Sequence, residues 1–155
     1  MSFRICALAA EPFHALFGAS TEALAAQGVQ RRVVDRNPGF PCRISLRDAE
    51  PGETVLLLNY EHQPADSPYR ASHAVYIREF AEQSFPAIDE IPQVLSTRLL
   101  SVRAFDAEGM MRDADVVPGD ALRPLIERML ASPDVAYLHL HNAKPGCFAA
   151  RVQRA

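Results

Sequence analysis

The stretch YLHLHNAKPGCF, residues 137–148, alternates polar and apolar side chains and then enters a short turn. Successive side chains of a β-strand point to opposite faces. His139 and His141 therefore share one face with Tyr137, and the two leucines between them share the other. The five-residue segment 142–146 contains Pro and Gly and fits the loop of a β-hairpin.

Strands Val135–His141 and Cys147–Val152 are predicted to form the two arms of this hairpin. Pairing of His141 with Cys147 would place Cys147 on the histidine face. The same pairing would place Phe148 on the leucine face, where burial of large apolar side chains should hold the register.

The rest of the chain is predicted to form short strands and helices separated by Pro- and Gly-containing turns. The further strand candidates are Phe3–Leu8, Val29–Arg36, 41–46, Thr54–His62, Ala71–Glu79, Leu99–Phe105 and Arg112–Val117. The helix candidates are Glu11–Phe17, Thr21–Gln27 with Ser20 as its cap, Pro92–Arg98 and Gly119–Leu130. Most connections between strands are too short for a parallel crossover. We therefore predict a single α+β domain over residues 1–155, with two to four helices and a predominantly antiparallel sheet that could curl into a partial barrel.

Composition excludes several classes of protein. The apolar fraction of 48% and the charged fraction of 23% are those of a globular chain. A net charge of −3 argues against nucleic acid as a partner, and no apolar run reaches the ~20 residues of a membrane helix. Three scattered cysteines and no signal-peptide pattern indicate a cytoplasmic protein with reduced thiols.

The face that carries His139, His141 and Cys147 has three competing interpretations. The residues could be solvated and without a role. Cys147 could be a nucleophile with either histidine as its base. The three could instead begin a metal site completed by His62, His73, Cys42 or a carboxylate. Because no Cys-x-x-Cys or His-Glu-x-x-His motif is present, we assign no metal ligand and expect no metal to be required for folding.

Other polar residues stand where loops meet strands, a common place for a binding site. The arginines among them suit an anion. The candidates for ligand binding are Arg43, Tyr60, His62, Arg70, Arg103 and Asn142.

Five motifs together resemble a bacterial family known as domain of unknown function 1203. They are PGFPCR (38–43), LLLNYEH (56–62), SPYR (67–70), LLSVRAFD (99–106) and HLHNAKPGC (139–147). The resemblance implies no activity and no catalytic residue. It also implies a glycine in relatives at the position of His73, so His73 is not expected to be essential.

The sequence therefore predicts a protein that binds a small anionic molecule in a cleft lined by His, Cys and Arg. An enzyme that uses Cys147 and a histidine is the first alternative. A protein–protein interaction module, with an apolar patch at 80–91 (Phe80, Phe85 and Ile88), is the second. The sequence identifies no cofactor, and it leaves open whether the protein is an enzyme and whether it forms oligomers.

Overall fold

The computed structural model describes the whole chain, Met1–Ala155. Its eight strands lie where the sequence predicts them, with ends that differ by at most three residues. They are β1 (Phe3–Cys6), β2 (Gln30–Val33), β3 (Thr54–Gln63), β4 (Ala71–Arg78), β5 (Leu99–Phe105), β6 (Met111–Pro118), β7 (Tyr137–Asn142) and β8 (Phe148–Arg154).

The helices are short and also follow the prediction. They are α1 (Thr21–Ala26), α2 (Gln93–Ser96), α3 (Leu122–Ala131) and two 3-10 helices, Glu11–Leu16 and Gly119–Ala121. The Ser20 side chain caps α1 by accepting a hydrogen bond from the Ala23 N–H at 3.1 Å. None of the helices has the length and apolarity needed to cross a bilayer.

The strands form two open sheets. The pairings of β1 with β8, β2 with β3, β5 with β6, β5 with β7 and β7 with β8 are all antiparallel. One sheet has five strands in the order β1-β8-β7-β5-β6, and the other has three in the order β2-β3-β4. The predicted α+β class with antiparallel sheet is confirmed, and neither sheet closes into a barrel.

One predicted strand, 41–46, is wrong. Pro41 and Cys42 form only isolated bridges, to Asp48 and Tyr76. The chain then turns back, and the Cys42 N–H donates to the Arg47 carbonyl oxygen at 2.9 Å. Leu46 adopts a φ of +49°, in the left-handed region. The side chains of this segment thus alternate between apolar and polar as in a strand, although its backbone forms a tight turn.

The residues group into two compact units. Unit 1 contains Met1–Cys6, Glu61–His73 and Phe85–Ala155, and unit 2 contains Ala7–Tyr60 and Ala74–Ser84. Strands β3 and β4 contribute to both. That the chain is a single domain stays a prediction.

Unit 1 is built around β7, which lies between β8 and β5 in the five-stranded sheet. All six residues of β7 are buried, so both of its faces are covered. Helix α3 contacts β7 and β8, and its periodic apolar side chains are buried. Burial of Leu138 and Leu140 alongside them gives unit 1 an apolar core on one face of the sheet.

Unit 2 has its own apolar core around β3 and β4. The centre of β3, with Leu56 and Leu58, packs with Val75 and Ile77 of β4 and with Leu24 of α1. Cys42 is buried in the same core, and its sulfur accepts hydrogen bonds from the Arg78 N–H at 3.1 Å and the Ser45 N–H at 3.4 Å. These contacts give Cys42 a structural role.

Candidate functional site

Four histidines of unit 1, His62, His73, His139 and His141, lie together, and we call them the histidine cluster. His62 stands near the end of β3 and His73 near the start of β4. His139 and His141 both come from β7, on one face as predicted, with ring centroids 6.3 Å apart. The alternation of side chains along one strand is enough to bring His139 and His141 together. The other two histidines come from parts of the chain that are distant in sequence.

Phe148 of β8 packs against three of the four histidine rings. Its ring stacks on His62 at a centroid distance of 5.2 Å and meets His139 edge-on at the same distance. The prediction that Phe148 packs on the leucine face is therefore wrong.

A β-bulge explains the difference. The hairpin is antiparallel as predicted, but His141 pairs with Phe148 rather than with Cys147, while Leu140 pairs with Ala150. Ala149 is the extra residue on β8, and it reverses the alternation on either side of itself. Phe148 thereby joins the face of the histidines.

The rings of the cluster are close and mostly buried. His141 is fully buried and His139 is 2% exposed, whereas His73 is half-buried. The His62 ring lies parallel to that of His73 at 4.8 Å and nearly perpendicular to that of His141 at 4.9 Å. His62 thus contacts every other histidine of the cluster.

Two hydrogen bonds orient the rings. His73 Nδ1 and His62 Nε2 share one at 2.9 Å. His141 Nδ1 lies 2.9 Å from the Gly146 carbonyl oxygen, which can only accept, so this nitrogen carries the proton. Three other ring nitrogens are buried without a hydrogen-bond partner: Nδ1 of His62, Nδ1 of His139 and Nε2 of His141. Buried polar atoms of this kind are rare, and they often mark sites that take an ion, a water or a ligand.

The cluster is uncharged at neutral pH. Burial, with repulsion from His73 and Arg103, lowers the pKa of His62 to about 4. Burial is also the main cause that lowers the pKa of His139 and of His141 to about 3. Burial lowers the pKa of His73 as well. Neutral imidazoles keep a free nitrogen lone pair, which can accept a hydrogen bond or bind a metal.

Two arginines, Arg103 and Arg151, carry charge beside the histidine cluster. Arg151 is exposed on β8 opposite His139, and its charge acts on that histidine. Arg103 is partly buried. It stands on β5 directly opposite His139 of β7, and its positive charge acts on all four histidines. The guanidinium Nε donates to the Ser101 hydroxyl at 3.4 Å, and it forms no ion pair with a carboxylate. Burial lowers the pKa of Arg103.

Cys147 and Asn142 lie at the loop end of the hairpin. The Asn142 Nδ2 donates to the Cys147 sulfur at 3.8 Å, and the Asn142 Oδ1 is buried without a hydrogen-bond partner. Asn142 follows His141 on β7, so alternation places its side chain on the face opposite the histidines, and the Cys147 sulfur lies beside that side chain. This geometry differs from the predicted shared face, and a nucleophilic role for Cys147 stays a prediction.

The remaining candidates are divided between the two units. Arg43 and Tyr60 belong to unit 2. Arg43 is 2% exposed and donates to the Pro41 carbonyl oxygen at 2.6 Å. Burial raises the pKa of Tyr60, whose ring packs edge-on against Phe13. Arg70 belongs to unit 1 but is exposed, and it donates to the Pro64 carbonyl oxygen at 3.0 Å.

The apolar side chains proposed for a protein interface are exposed in the structure. Phe80, Phe85 and Ile88 all present most of their surface to solvent. Phe80 belongs to unit 2, where its ring packs against Phe17, and the other two belong to unit 1. Their role as an interface stays a prediction.

Sequence reasoning named His73 only as one of several residues that could complete a metal site, and it placed Phe148 on the opposite face. His73 lies in the strand that follows the motif SPYR (67–70). Nothing in the neighbouring sequence indicates that the start of this strand contacts β7. The bulge that turns Phe148 has no clear sequence signal beyond the small residues Ala149 and Ala150. Tyr137 was placed correctly on the histidine face, where its hydroxyl bonds to the buried Gln63 side chain at 2.9 Å.

The family model described as Protein of unknown function (DUF1203) matches residues 39–154. The chain belongs to this family. The match confirms the resemblance carried by the five motifs, and it includes every residue of the histidine cluster. No curated protein and no solved structure matches the chain. The DUF1203 description assigns no activity, so the function has to be argued from the site.

Proposed function

We propose that this protein binds a small anionic molecule at the histidine cluster, with Arg103 as the residue that attracts it. The observation that carries the proposal is the state of Arg103, which is partly buried and has no carboxylate partner. A cation removed from water is destabilising unless an opposite charge compensates it. The surrounding imidazoles are neutral and cannot provide that charge.

The cluster offers groups that would hold such an anion. A guanidinium can donate two parallel hydrogen bonds to a carboxylate, a phosphate or a sulfate. The buried nitrogens of His62 and His139 that lack partners can donate N–H bonds to the same ligand when they carry the ring proton. Burial strengthens each of these contacts because water competes less for them.

Isothermal titration of the purified full chain with phosphate, sulfate and acetate tests the proposal. We expect one of these anions to bind, and we expect Arg103→Gln to weaken its affinity at least tenfold, or about 1.4 kcal/mol. Arg103→Lys, which keeps the charge but loses the planar fork, should have an intermediate affinity. The matched control is Arg4→Gln, because Arg4 is exposed on β1 of the same sheet and its loss changes the net charge equally.

Circular dichroism of each variant shows whether the fold is kept. Equal affinities for the Arg103→Gln and Arg4→Gln proteins would refute the role of Arg103. The absence of binding for all three anions at millimolar concentration would refute the proposed function.

A further inference from the structure

Three histidines of the cluster direct ring nitrogens into one small volume. His62, His73 and His141 each offer one nitrogen, and these three atoms lie within 4.8 Å of one another. The His62 and His73 nitrogens that share a hydrogen bond are 2.9 Å apart. In a tetrahedral zinc site with Zn–N bonds of about 2.0–2.1 Å, neighbouring nitrogens are about 3.3–3.4 Å apart. Displacements of about 1 Å would bring the three nitrogens to that spacing.

His141 is oriented as a metal-binding histidine is. Its Nδ1–H donates to the Gly146 carbonyl oxygen at 2.9 Å, which fixes the tautomer and leaves the lone pair on Nε2. That nitrogen is buried and has no hydrogen-bond donor. Histidines that ligate metals commonly donate their second nitrogen to a backbone carbonyl in this way. The lone pair on Nε2 would repel an anion, so this nitrogen can be satisfied only by a cation or by a hydrogen-bond donor.

We propose that His62, His73 and His141 bind one divalent transition-metal ion, zinc or a metal of similar preference, whose fourth ligand is an anion. The identity of the fourth ligand rests on the proposed function. The metal site considered from sequence began with His139, His141 and Cys147 and was to be completed by His62, His73, Cys42 or a carboxylate. The set proposed here keeps His141 and takes both His62 and His73.

The donor atoms select the class of metal. Three imidazole nitrogens without a carboxylate suit zinc, cobalt, nickel or copper, whereas calcium and magnesium require oxygen ligands. Three protein ligands leave one tetrahedral position open, as in catalytic rather than structural zinc sites.

Charge explains why the fourth ligand should be an anion. Neutral histidines leave the full +2 charge on the metal, and Arg103 adds a further positive charge that acts on all three ligands. An anion that bound both the metal and the guanidinium would compensate both charges. His139, the fourth member of the cluster, remains free to hydrogen-bond that anion.

Metal titration of the tag-free full chain after treatment with a chelator tests the site. We expect one Zn²⁺ per chain, measured by competition with a chromogenic chelator. His62→Ala, His73→Ala and His141→Ala should each weaken binding at least tenfold. His14→Ala is the matched control, because His14 is exposed on the first 3-10 helix, and it should leave the affinity unchanged.

His73→Ala is the decisive variant, since His73 is half-buried and its loss threatens the fold least. Co²⁺ provides a second readout, because a four-coordinate site gives intense visible absorption and a six-coordinate site gives weak absorption. If His73→Ala weakened zinc binding no more than His14→Ala does, the proposal would be overturned. Affinity no better than about 10 µM for the wild-type chain, or weak cobalt absorption, would overturn it as well.

Titration with sulfate and acetate, before and after zinc loading, separates this inference from the proposed function. We expect zinc loading to raise anion affinity at least tenfold. Equal anion affinity in both forms would overturn the anion as fourth ligand and leave the proposed function standing. Specific zinc binding without anion binding in either form would refute the proposed function and leave the three-histidine site standing.

Discussion

Glu79, the residue after β4, connects three separate segments of unit 2. Its replacement by Gln should reduce stability in a pH-dependent way. The carboxylate accepts hydrogen bonds from the Gly18 N–H at 2.8 Å and the Thr54 hydroxyl at 2.9 Å. It also accepts two from the Arg31 guanidinium, at 2.7 and 3.0 Å. Its side chain is only 5% exposed. The loop before α1, strand β2 and strand β3 are therefore held by one charged group.

The pKa of Glu79 gives the magnitude. Hydrogen bonding from Arg31 is the main cause that lowers this pKa from 4.5 to about 2. Lowering the pKa from 4.5 to about 2 corresponds to at most about 3.5 kcal/mol of stability, since one pKa unit is worth about 1.4 kcal/mol. Partial exposure of Arg31 allows water to screen the pair, so we expect about 2–3 kcal/mol.

The sign follows from the direction of the shift. Because the pKa is lower in the folded chain than in the unfolded chain, the stabilisation is complete above about pH 5. It decreases as the pH falls from about 5 to 2, where the folded-state carboxylate also takes up a proton. Glutamine cannot ionise, so Glu79→Gln lacks this contribution at every pH.

Urea unfolding of wild type and Glu79→Gln at pH 7, 5 and 3 measures the effect. The difference in unfolding free energy should be about 2–3 kcal/mol at pH 7 and less than half as large at pH 3. Glu82→Gln is the control, because Glu82 is exposed in the same unit, and it should change stability by less than about 0.5 kcal/mol. A difference between wild type and Glu79→Gln that stays the same from pH 7 to pH 3 would refute the reasoning.

Two further substitutions test packing in the protein. Gly119→Ala should destabilise the protein by about 3 kcal/mol, because the added Cβ would overlap the Leu95 carbonyl oxygen. Gly52→Ala should cost only about 1–2 kcal/mol, because nothing lies within 4 Å of its added Cβ and only its φ of +90° is unfavourable. Thermal unfolding of both proteins checks this, and equal melting temperatures would contradict it. Tyr137→Phe should cost about 1–2 kcal/mol, because it leaves the buried Gln63 amide without the hydroxyl 2.9 Å away. Unchanged chemical stability of that variant would show that the Gln63 amide finds another partner.

Local features of the sequence were enough to predict most of the fold. The apolar run in β3, the periodic leucines of α3 and the alternation in β7 each act through neighbours along the chain. The residue types in each of these segments therefore indicate a helix or a strand without knowledge of the rest of the fold. The segment 41–46 shows where this fails, because alternation is also compatible with a turn in which the left-handed φ of Leu46 reverses the chain.

Some residues of the candidate site could likewise be predicted from their neighbours along the chain, and others could not. His139 and His141 lie on one face because they are two residues apart on a strand, and that relation needs no other part of the protein. Phe148 depends on a one-residue bulge, whose position is set by how β7 and β8 pack with the remaining strands.

Residue types and their spacing were sufficient to predict the α+β class, the position of nearly every strand and helix, the antiparallel hairpin and the common face of two histidines. Three features followed only from the folded chain: His62 and His73 contact that pair, Phe148 packs against the rings, and the charge of Arg103 acts on all four histidines without a carboxylate partner. Spacing along the chain fixes the direction of a side chain only within its own element. Contacts between elements far apart in sequence depend instead on strand order and register, which the burial of the whole core selects.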